Sequence, residues 1–161
     1  MNAKDIIDTF NRNTNVTKRQ AEGLTHADSL LQAGFRANCF NWVLGHMVFY
    51  RDVVLTRLGE DSIIPESYDA RYGHGSDPVT ADGDDVANFQ DLLNQLDTTN
   101  AALAAALEGG DEKLASVYEV NDDGSERTFA DMVGFLAWHD AYHTGQLELL
   151  RQLAGTDDHV I

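Results

Sequence analysis

The chain has 161 residues, of which 43% are hydrophobic, so its composition is that of a folded globular protein and excludes a disordered one. Its net charge of −16, without any cluster of Lys or Arg, disfavours binding to nucleic acid and to anionic membrane surfaces. The single cysteine excludes an intramolecular disulfide, and the first residues lack the apolar stretch of a signal peptide. We therefore expect a soluble, cytoplasmic protein that forms a single domain over residues 1–161.

The first predicted helix covers residues 3–22. A stripe of residues at three- and four-residue spacing runs along it, apolar at its ends and polar in the middle. The middle contains Asn13 and Thr14, which are indifferent helix formers. Gly23 ends this helix, and residues 25–32 are expected to hold a short helical turn.

The second predicted helix covers residues 37–58 and stops at Gly59. His46 shares one face of this helix with Trp42 and other aromatic residues, which places an imidazole on an apolar side. Cys39 lies two turns earlier on the same side, too far from His46 to bind the same ion from one helix. We interpret Cys39 as a small buried residue.

A long loop over residues 60–79 follows, and it carries both prolines of the chain. Long loops in compact domains are frequently functional or mobile. His74 in this loop is therefore either a residue at the edge of a pocket or a solvent-exposed loop histidine.

The third predicted helix covers residues 80–108, with aspartates at its N-terminal end and a glycine pair after its last residue. Its apolar residues repeat with heptad spacing, as in a helix of a left-handed bundle. The residues of this seam are Val86, Phe89, Leu93, Leu96, Asn100, Leu103 and Leu107.

Alternating residues and an Asp-Gly pair within 111–127 predict a small hairpin or a turn. Thr128 then caps the last helix with Asp131 three residues later. This helix runs to about Leu153 and stops at Gly155. Four long helical segments predict an all-α fold, an antiparallel four-helix bundle with a long loop between helices two and three.

The last predicted helix carries His139 and His143, which lie about 40° apart on one helical face. The apolar residues that point the same way are Met132, Leu136, Leu147 and Leu150. Two neutral imidazoles in an apolar core need partners, which are either hydrogen-bonding groups or one shared metal ion. The four-residue spacing suits a metal, but this pair alone leaves both alternatives open until a third ligand is found.

The strings NWVLGHMVFYRD and WHDAYHTGQL together resemble the DinB-like, or YfiT-like, superfamily of bacterial metal-binding four-helix bundles. The usual pattern in the last helix of that family is H-E-x-x-H-x-G-Q, and this chain has Asp140 in place of the glutamate. The resemblance implies that His46, His139 and His143 bind one divalent metal ion such as zinc or nickel. Three imidazoles leave a fourth coordination position open, which is typical of catalytic zinc sites.

The resemblance leaves several functions open, since the superfamily includes thiol-dependent S-transferases, a thiol-dependent isomerase and proteins described as hydrolases. In the first hypothesis the metal activates a low-molecular-weight thiol for transfer to an electrophile. Tyr142 then contributes to binding the thiol cofactor, and Gln146 serves the reaction from the rim of the site. The alternative for both residues is packing with a satisfied polar tip.

In the second hypothesis the protein is a metal-dependent hydrolase with Asp140 as general base. Asp140 lies about 80° from the centre of the apolar face, so it is alternatively a solvated residue or a group that orients a ligand imidazole. In the third hypothesis the protein is a non-catalytic stress-response protein that holds a metal. A di-iron site is disfavoured because paired Glu-x-x-His elements are missing. We also expect a small-molecule substrate and a homodimer.

Overall fold

The computed structural model describes residues 2–156 and 158–160. Within these residues the chain is mostly helical, with a small two-stranded antiparallel sheet. The helices are α1 Ala3–Ala21, α2 His26–Ser29, α3 Phe40–Leu58, α4 Ser67–Tyr72, α5 Phe89–Leu107, α6 Asp111–Ala115 and α7 Phe129–Arg151. The strands are β1 Val117–Val120 and β2 Glu126–Thr128, and a short 3-10 helix, Gln152–Ala154, follows α7. The helical fold class, the short turn before α3 and the hairpin are thereby confirmed.

Local sequence signals explain where the last helix begins and where two helices end. At the start of α7, the Thr128 hydroxyl accepts a hydrogen bond from the Asp131 N–H, and the Asp131 carboxylate accepts one from the Thr128 N–H. Gly59 after α3 and Gly155 after the 3-10 helix have φ of 100° and 84°, a conformation that glycine adopts without strain. The sequence predicted each of these caps and stops.

The third long helix begins later than predicted. Residues 80–88 are not helical, and α5 starts at Phe89 because the Asn88 side chain accepts a hydrogen bond from Gln90 N–H. The predicted loop over 60–79 is interrupted by α4, and the connection between α3 and α5 is longer than predicted, since it extends over residues 59–88. The aspartates expected in the first turn of the third helix therefore lie in the connection before it.

The directions of α1 and α7 correct one part of the prediction. Asn13 of α1 donates a hydrogen bond to Asp140 of α7, and four residues further along both helices Thr17 pairs with Thr144. The paired residues advance together, so α1 and α7 run in the same direction. The antiparallel arrangement predicted from the sequence is wrong for this pair of helices.

The contacts between α1 and α5 give the relative direction of a second pair of helices. Lys18 pairs with Asp97 of α5, and Asn11, two turns earlier in α1, pairs with Asn100, which lies later in α5. The order is reversed, so α1 and α5 are antiparallel.

The connection between the second and third long helices explains why not all of the helices alternate. Phe40 and Phe89 pack edge to face at the starts of α3 and α5, and Arg51 contacts the Leu96 carbonyl in the middle of both. These two helices therefore run in the same direction. Each is about 28 Å long, and residues 59–88 return the chain over that distance.

Two apolar clusters fill the interior at opposite ends of the long helices. The first apolar cluster contains Phe40, Val43, Leu44, Met47, Leu92, Leu96, Leu147 and Leu150. The second apolar cluster contains Ile6, Phe10, Val54, Leu55, Leu103, Leu107, Val133 and Leu136. Within the described residues, no helix is both long and apolar enough to cross a membrane.

A buried polar layer separates the two clusters. Arg51 donates two hydrogen bonds to the carboxylate of Asp140, at 2.9 and 3.0 Å, and a third, at 2.7 Å, to the hydroxyl of Thr14. Asn13 donates to the same carboxylate at 2.9 Å, and the Leu96 carbonyl accepts from Arg51. Each of the four long helices contributes to this layer, which explains why the predicted stripe of α1 is polar in its middle.

Candidate metal centre

Three histidines from two helices meet at one point near the polar layer. His46 lies on α3, whereas His139 and His143 lie one turn apart on α7. The Nε2 atoms of His139 and His143 are 3.0 Å apart, and those of His46 and His139 are 3.3 Å apart. Among the histidine, cysteine and acidic side chains in the described part of the chain, these three form a group close enough together to bind one metal ion. The structure therefore brings together the three histidines that the family resemblance implied.

Hydrogen bonds at the opposite ring nitrogens orient two of the imidazoles. His46 Nδ1–H donates to the backbone carbonyl of Tyr72 at 2.6 Å, and His143 Nδ1–H donates to Gln146 Oε1 at 2.7 Å. A carbonyl oxygen only accepts, so the proton of each neutral ring is on Nδ1. The Nε2 atoms of His46 and His143 consequently present lone pairs, and both face Nε2 of His139.

This arrangement of nitrogens fits a divalent metal ion. A neutral His139 carries one proton and can satisfy at most one of the two lone pairs that face its Nε2. Its Nδ1 is buried and contacts no hydrogen-bonding partner among the described residues. A tetrahedral ion with metal–nitrogen distances of about 2.0–2.1 Å separates its ligand nitrogens by about 3.3 Å. The observed separations of 3.0 and 3.3 Å are close to that value.

Burial keeps all three imidazoles in the form that binds metals. Burial, together with the neighbouring imidazoles, lowers the pKa of His46 to about 4. The same two causes lower the pKa of His139 to about 4. Burial also lowers the pKa of His143. The rings are therefore neutral near pH 7, with lone pairs available to a cation.

Tyr72, which supplies the carbonyl for His46, is itself fixed from several sides. Its hydroxyl donates to Asn41 Oδ1 at 3.0 Å and accepts from the Ala87 N–H at 2.8 Å. Its ring packs directly on the backbone of α3 at Gly45, where a Cβ atom would lie 2.4 Å from the ring. Burial raises the pKa of Tyr72 to about 12, so the hydroxyl stays protonated. Neither Tyr72 nor Gly45 was predicted from the sequence, although a glycine inside a helix beside His46 was an available signal.

A pocket of about 290 Å³ opens beside the histidine cluster. Its lining residues are Phe35, Ala37, Asn38, Trp42, Val43, His46, His74, Gly75, His139, Tyr142, His143, Gln146, Leu149 and Leu150. The ring of Trp42 stacks on that of His46, with centroids 4.5 Å apart. His74 lines this pocket and its side chain is also exposed, so the structure agrees with both interpretations of this residue.

Gln146 and Tyr142 both border this pocket, next to His143. Gln146 accepts from the His143 ring, and its amide lies 3.4 Å from the Tyr142 hydroxyl. The Tyr142 ring contacts the His143 ring edge to face, with centroids 5.2 Å apart, and is 54% exposed. Gln146 thus has a defined contact with a histidine of the cluster, and any role of either residue in a reaction stays a prediction.

Asp140 and Cys39 lie outside the lining of the pocket. The Asp140 carboxylate is buried and uses both oxygens to accept hydrogen bonds from Arg51, and one of them also accepts from Asn13. These contacts argue against the predicted role of general base, because the carboxylate faces the polar layer and is already paired. Cys39 is fully buried, which agrees with its interpretation as a small core residue, and burial raises the pKa of its thiol.

Comparison with known proteins gave a family match and a structural match for this chain. A family model described as the DinB superfamily matches residues 9–147. A solved structure described as the conserved protein of locus from Enterococcus faecalis has a TM-score of 0.75 and 17% sequence identity, and the match covers 97% of this chain and 99% of that one. At that identity the similarity concerns the fold alone. No curated protein matches this chain.

Proposed function

This chain belongs to the DinB superfamily, and we propose that it binds one divalent metal ion through His46, His139 and His143 and acts on a small molecule as a metal-dependent enzyme. Zinc and nickel are the proposed metals. The observation that carries the proposal is the convergence of three Nε2 atoms beside a pocket, two of them on rings whose Nδ1 atoms contact carbonyl oxygens. A group of three protein ligands leaves room for an exogenous ligand.

The proposed reaction is the transfer of a low-molecular-weight thiol to an electrophile. A divalent ion bound by the three histidines supplies a site that lowers the pKa of a thiol that coordinates it. No Ser, Thr, Cys or Lys is present among the described residues that line the pocket, which favours a nucleophile supplied by a bound co-substrate. Hydrolysis has less support, because Asp140 is engaged by Arg51 and is not free to act as a base.

Two residues are proposed to assist at the rim. Gln146 is a positioning residue, because its contact with His143 Nδ1–H fixes the ring and directs Nε2 toward the cluster. Tyr142 borders the pocket beside Gln146 and is proposed to contact the thiol. The Tyr72 carbonyl has the equivalent positioning role for His46.

The experiment that tests the proposed function is a thiol-dependence assay on metal-loaded protein. The protein is reconstituted with zinc or nickel and mixed with 1-chloro-2,4-dinitrobenzene, with and without a panel of thiols, and dinitrophenyl thioether formation is followed by absorbance. Enzymatic formation only with an added thiol supports the proposal. Hydrolysis of ester or amide substrates without thiol would indicate a hydrolase, and silence in both assays would indicate a non-catalytic metal-binding protein. His139→Ala is the matched control for background chemistry.

We also propose that α1, α3, α5 and α7 form a four-helix bundle in which residues 59–88 are the long connection. The support is that α1 and α3 each pack against both α5 and α7.

Three further expectations stay predictions: the homodimer, the cytoplasmic location and the single domain over residues 1–161. Phe135 and Trp138 on α7 are exposed aromatic residues that a dimer could cover.

A further inference from the structure

We infer that the pocket takes a small ligand that binds the metal through one donor atom and is otherwise uncharged and largely apolar. The inference rests on the proposed function and narrows the class of its substrate. It follows from the charges, the walls and the size of the pocket.

The lining of the pocket lacks formal charges. Among the described residues that line it there is no Asp, Glu, Lys or Arg, although the chain has 27 acidic and 11 basic residues among its 161. Arg36 lies between two lining residues but is exposed and not part of the lining. A charged group of a ligand, other than the one at the metal, would lose its hydration there without gaining a counter-ion. The net charge of −16 further disfavours anionic ligands.

The walls of the pocket are aromatic and aliphatic. Trp42, Val43 and Leu150 are buried and form its inner surface. Phe35 and Leu149 line its mouth with 66% and 60% of their surfaces exposed. Large apolar side chains that remain exposed at the mouth of a pocket gain from contact with an apolar ligand. The ligand body is therefore expected to lie between these side chains.

The size of the pocket and its polar groups limit the ligand further. Its volume of about 290 Å³ is just below the range of about 300–1,000 Å³ for small-molecule pockets. Asn38 and Gln146 offer neutral amides, which can hydrogen-bond a carbonyl, hydroxyl or amide group of the ligand. Large thiols with several carboxylates match neither the small volume nor the uncharged lining of this pocket.

The test uses three thiols of nearly identical sulfur chemistry on cobalt-reconstituted protein. Thiolate binding to cobalt is followed by the charge-transfer absorption in the near ultraviolet during titration. The probes are phenylmethanethiol, its para-carboxylate, 4-(mercaptomethyl)benzoate, and its para-amide, 4-(mercaptomethyl)benzamide. We expect the carboxylate to bind at least roughly tenfold more weakly than phenylmethanethiol, and the amide to bind within about threefold of it. The amide separates the effect of charge from that of size.

A charge variant at the mouth provides the second measurement. Leu149→Lys places a cation at the rim and should recover much of the lost affinity for the carboxylate thiol. Val120→Lys is the matched control, because Val120 is 61% exposed on the hairpin, outside the pocket lining, and the change in net charge is the same. It should leave the ratio of the three affinities unchanged.

The outcomes separate the two proposals. Failure to take up cobalt, or the lack of a thiolate band with all three thiols, overturns the proposed function and this inference together. A strong band with equal affinity for the carboxylate and phenylmethanethiol overturns the inference and leaves the proposed function standing. An equal loss for the carboxylate and the amide shows that size sets the limit, which also overturns it.

Discussion

The side chains of Arg51 and Asp140 face each other through two parallel hydrogen bonds, Nε to Oδ1 at 2.9 Å and Nη2 to Oδ2 at 3.0 Å. The two residues are 1% and 3% exposed, so neither charge can be compensated by water. They lie on α3 and α7, the same two helices that carry the histidines. Their pairing therefore also constrains how those helices meet.

Neutralising one member of this pair is expected to be costly. Asp140→Asn leaves the Arg51 cation buried without its counter-ion, so the free energy of unfolding in urea should fall by about 3–5 kcal/mol. The folded fraction should still bind the metal, because Asp140 does not contact the cluster. The double variant Arg51→Met with Asp140→Leu should be more stable than Asp140→Asn. Unchanged stability with loss of metal would contradict the structural role.

Each of the three histidines is expected to be required for metal binding. His46→Ala, His139→Ala and His143→Ala each leave two protein ligands, so affinity should drop by orders of magnitude. Elemental analysis of the purified and reconstituted proteins should give one ion per chain for the wild type and almost none for the variants. His159→Ala, at an exposed histidine near the end of the chain, is the control. Full occupancy in any of the three ligand variants would remove the basis of the proposed function.

The contact between Gln146 and His143 is expected to tune the affinity. Gln146→Leu removes the acceptor for His143 Nδ1–H and should weaken metal binding by roughly ten- to hundredfold. Gln146→Glu keeps an acceptor at the same place and should retain the affinity. A competition titration with a chromogenic chelator measures both. If Gln146→Leu binds metal and supports any activity as the wild type does, Gln146 is a packing residue only.

The close contact of Gly45 with the Tyr72 ring predicts that position 45 does not tolerate a side chain. A Cβ atom at position 45 would lie 2.4 Å from the Tyr72 ring, so Gly45→Ala should push the ring away and cost about 1–3 kcal/mol of stability. Metal affinity should fall too, because the Tyr72 carbonyl orients His46. Gly145→Ala is the control on α7. A Cβ atom at position 145 would meet no heavy atom within 4 Å, and alanine is the better helix former, so stability should be equal or greater. Equal thermal midpoints for the two variants would contradict the packing argument.

The stability of the metal-free protein is expected to depend on the two most strongly shifted histidines. His46 and His139 have pKa values of about 4 in the folded chain against the usual 6.5. Between these values the unfolded chain binds more protons, so the free energy of unfolding falls as the pH is lowered from about 6.5 toward 4. His46→Asn removes one of the two groups. Its thermal midpoint should therefore decline less between pH 7 and pH 5 than that of the wild type, and equal declines would refute the assignment.

The features that the sequence predicted well are those set by neighbouring residues. The capping box of Thr128 and Asp131, the stop at Gly59 and the shared face of His139 and His143 depend on contacts within one or two helical turns. The apolar residues around that face are indeed buried. His46 was grouped with them through a family resemblance, since its place beside α7 depends on packing between residues 93 apart.

The features that the sequence did not predict depend on contacts between segments far apart in the chain. Arg51 was not singled out, because its partner Asp140 is 89 residues away. Tyr72 acts on His46 through a backbone carbonyl, a group that every residue has and that no sequence pattern reveals. The seam of α5 was right at Phe89, Leu96, Leu103 and Leu107, but Leu92 and Thr99 are buried in place of Leu93 and Asn100. Packing on both α1 and α3 selects that face.

The division of the interior by the polar layer has a practical consequence for engineering the protein. Trp42, Val43 and Leu150 belong to the first apolar cluster and also line the pocket, whereas no member of the second cluster does so. Thermostabilising substitutions, or a library of repacked side chains, can therefore be confined to the second cluster around Phe10 and Leu103. Such a library would vary the thermal stability of the protein while the pocket keeps its shape.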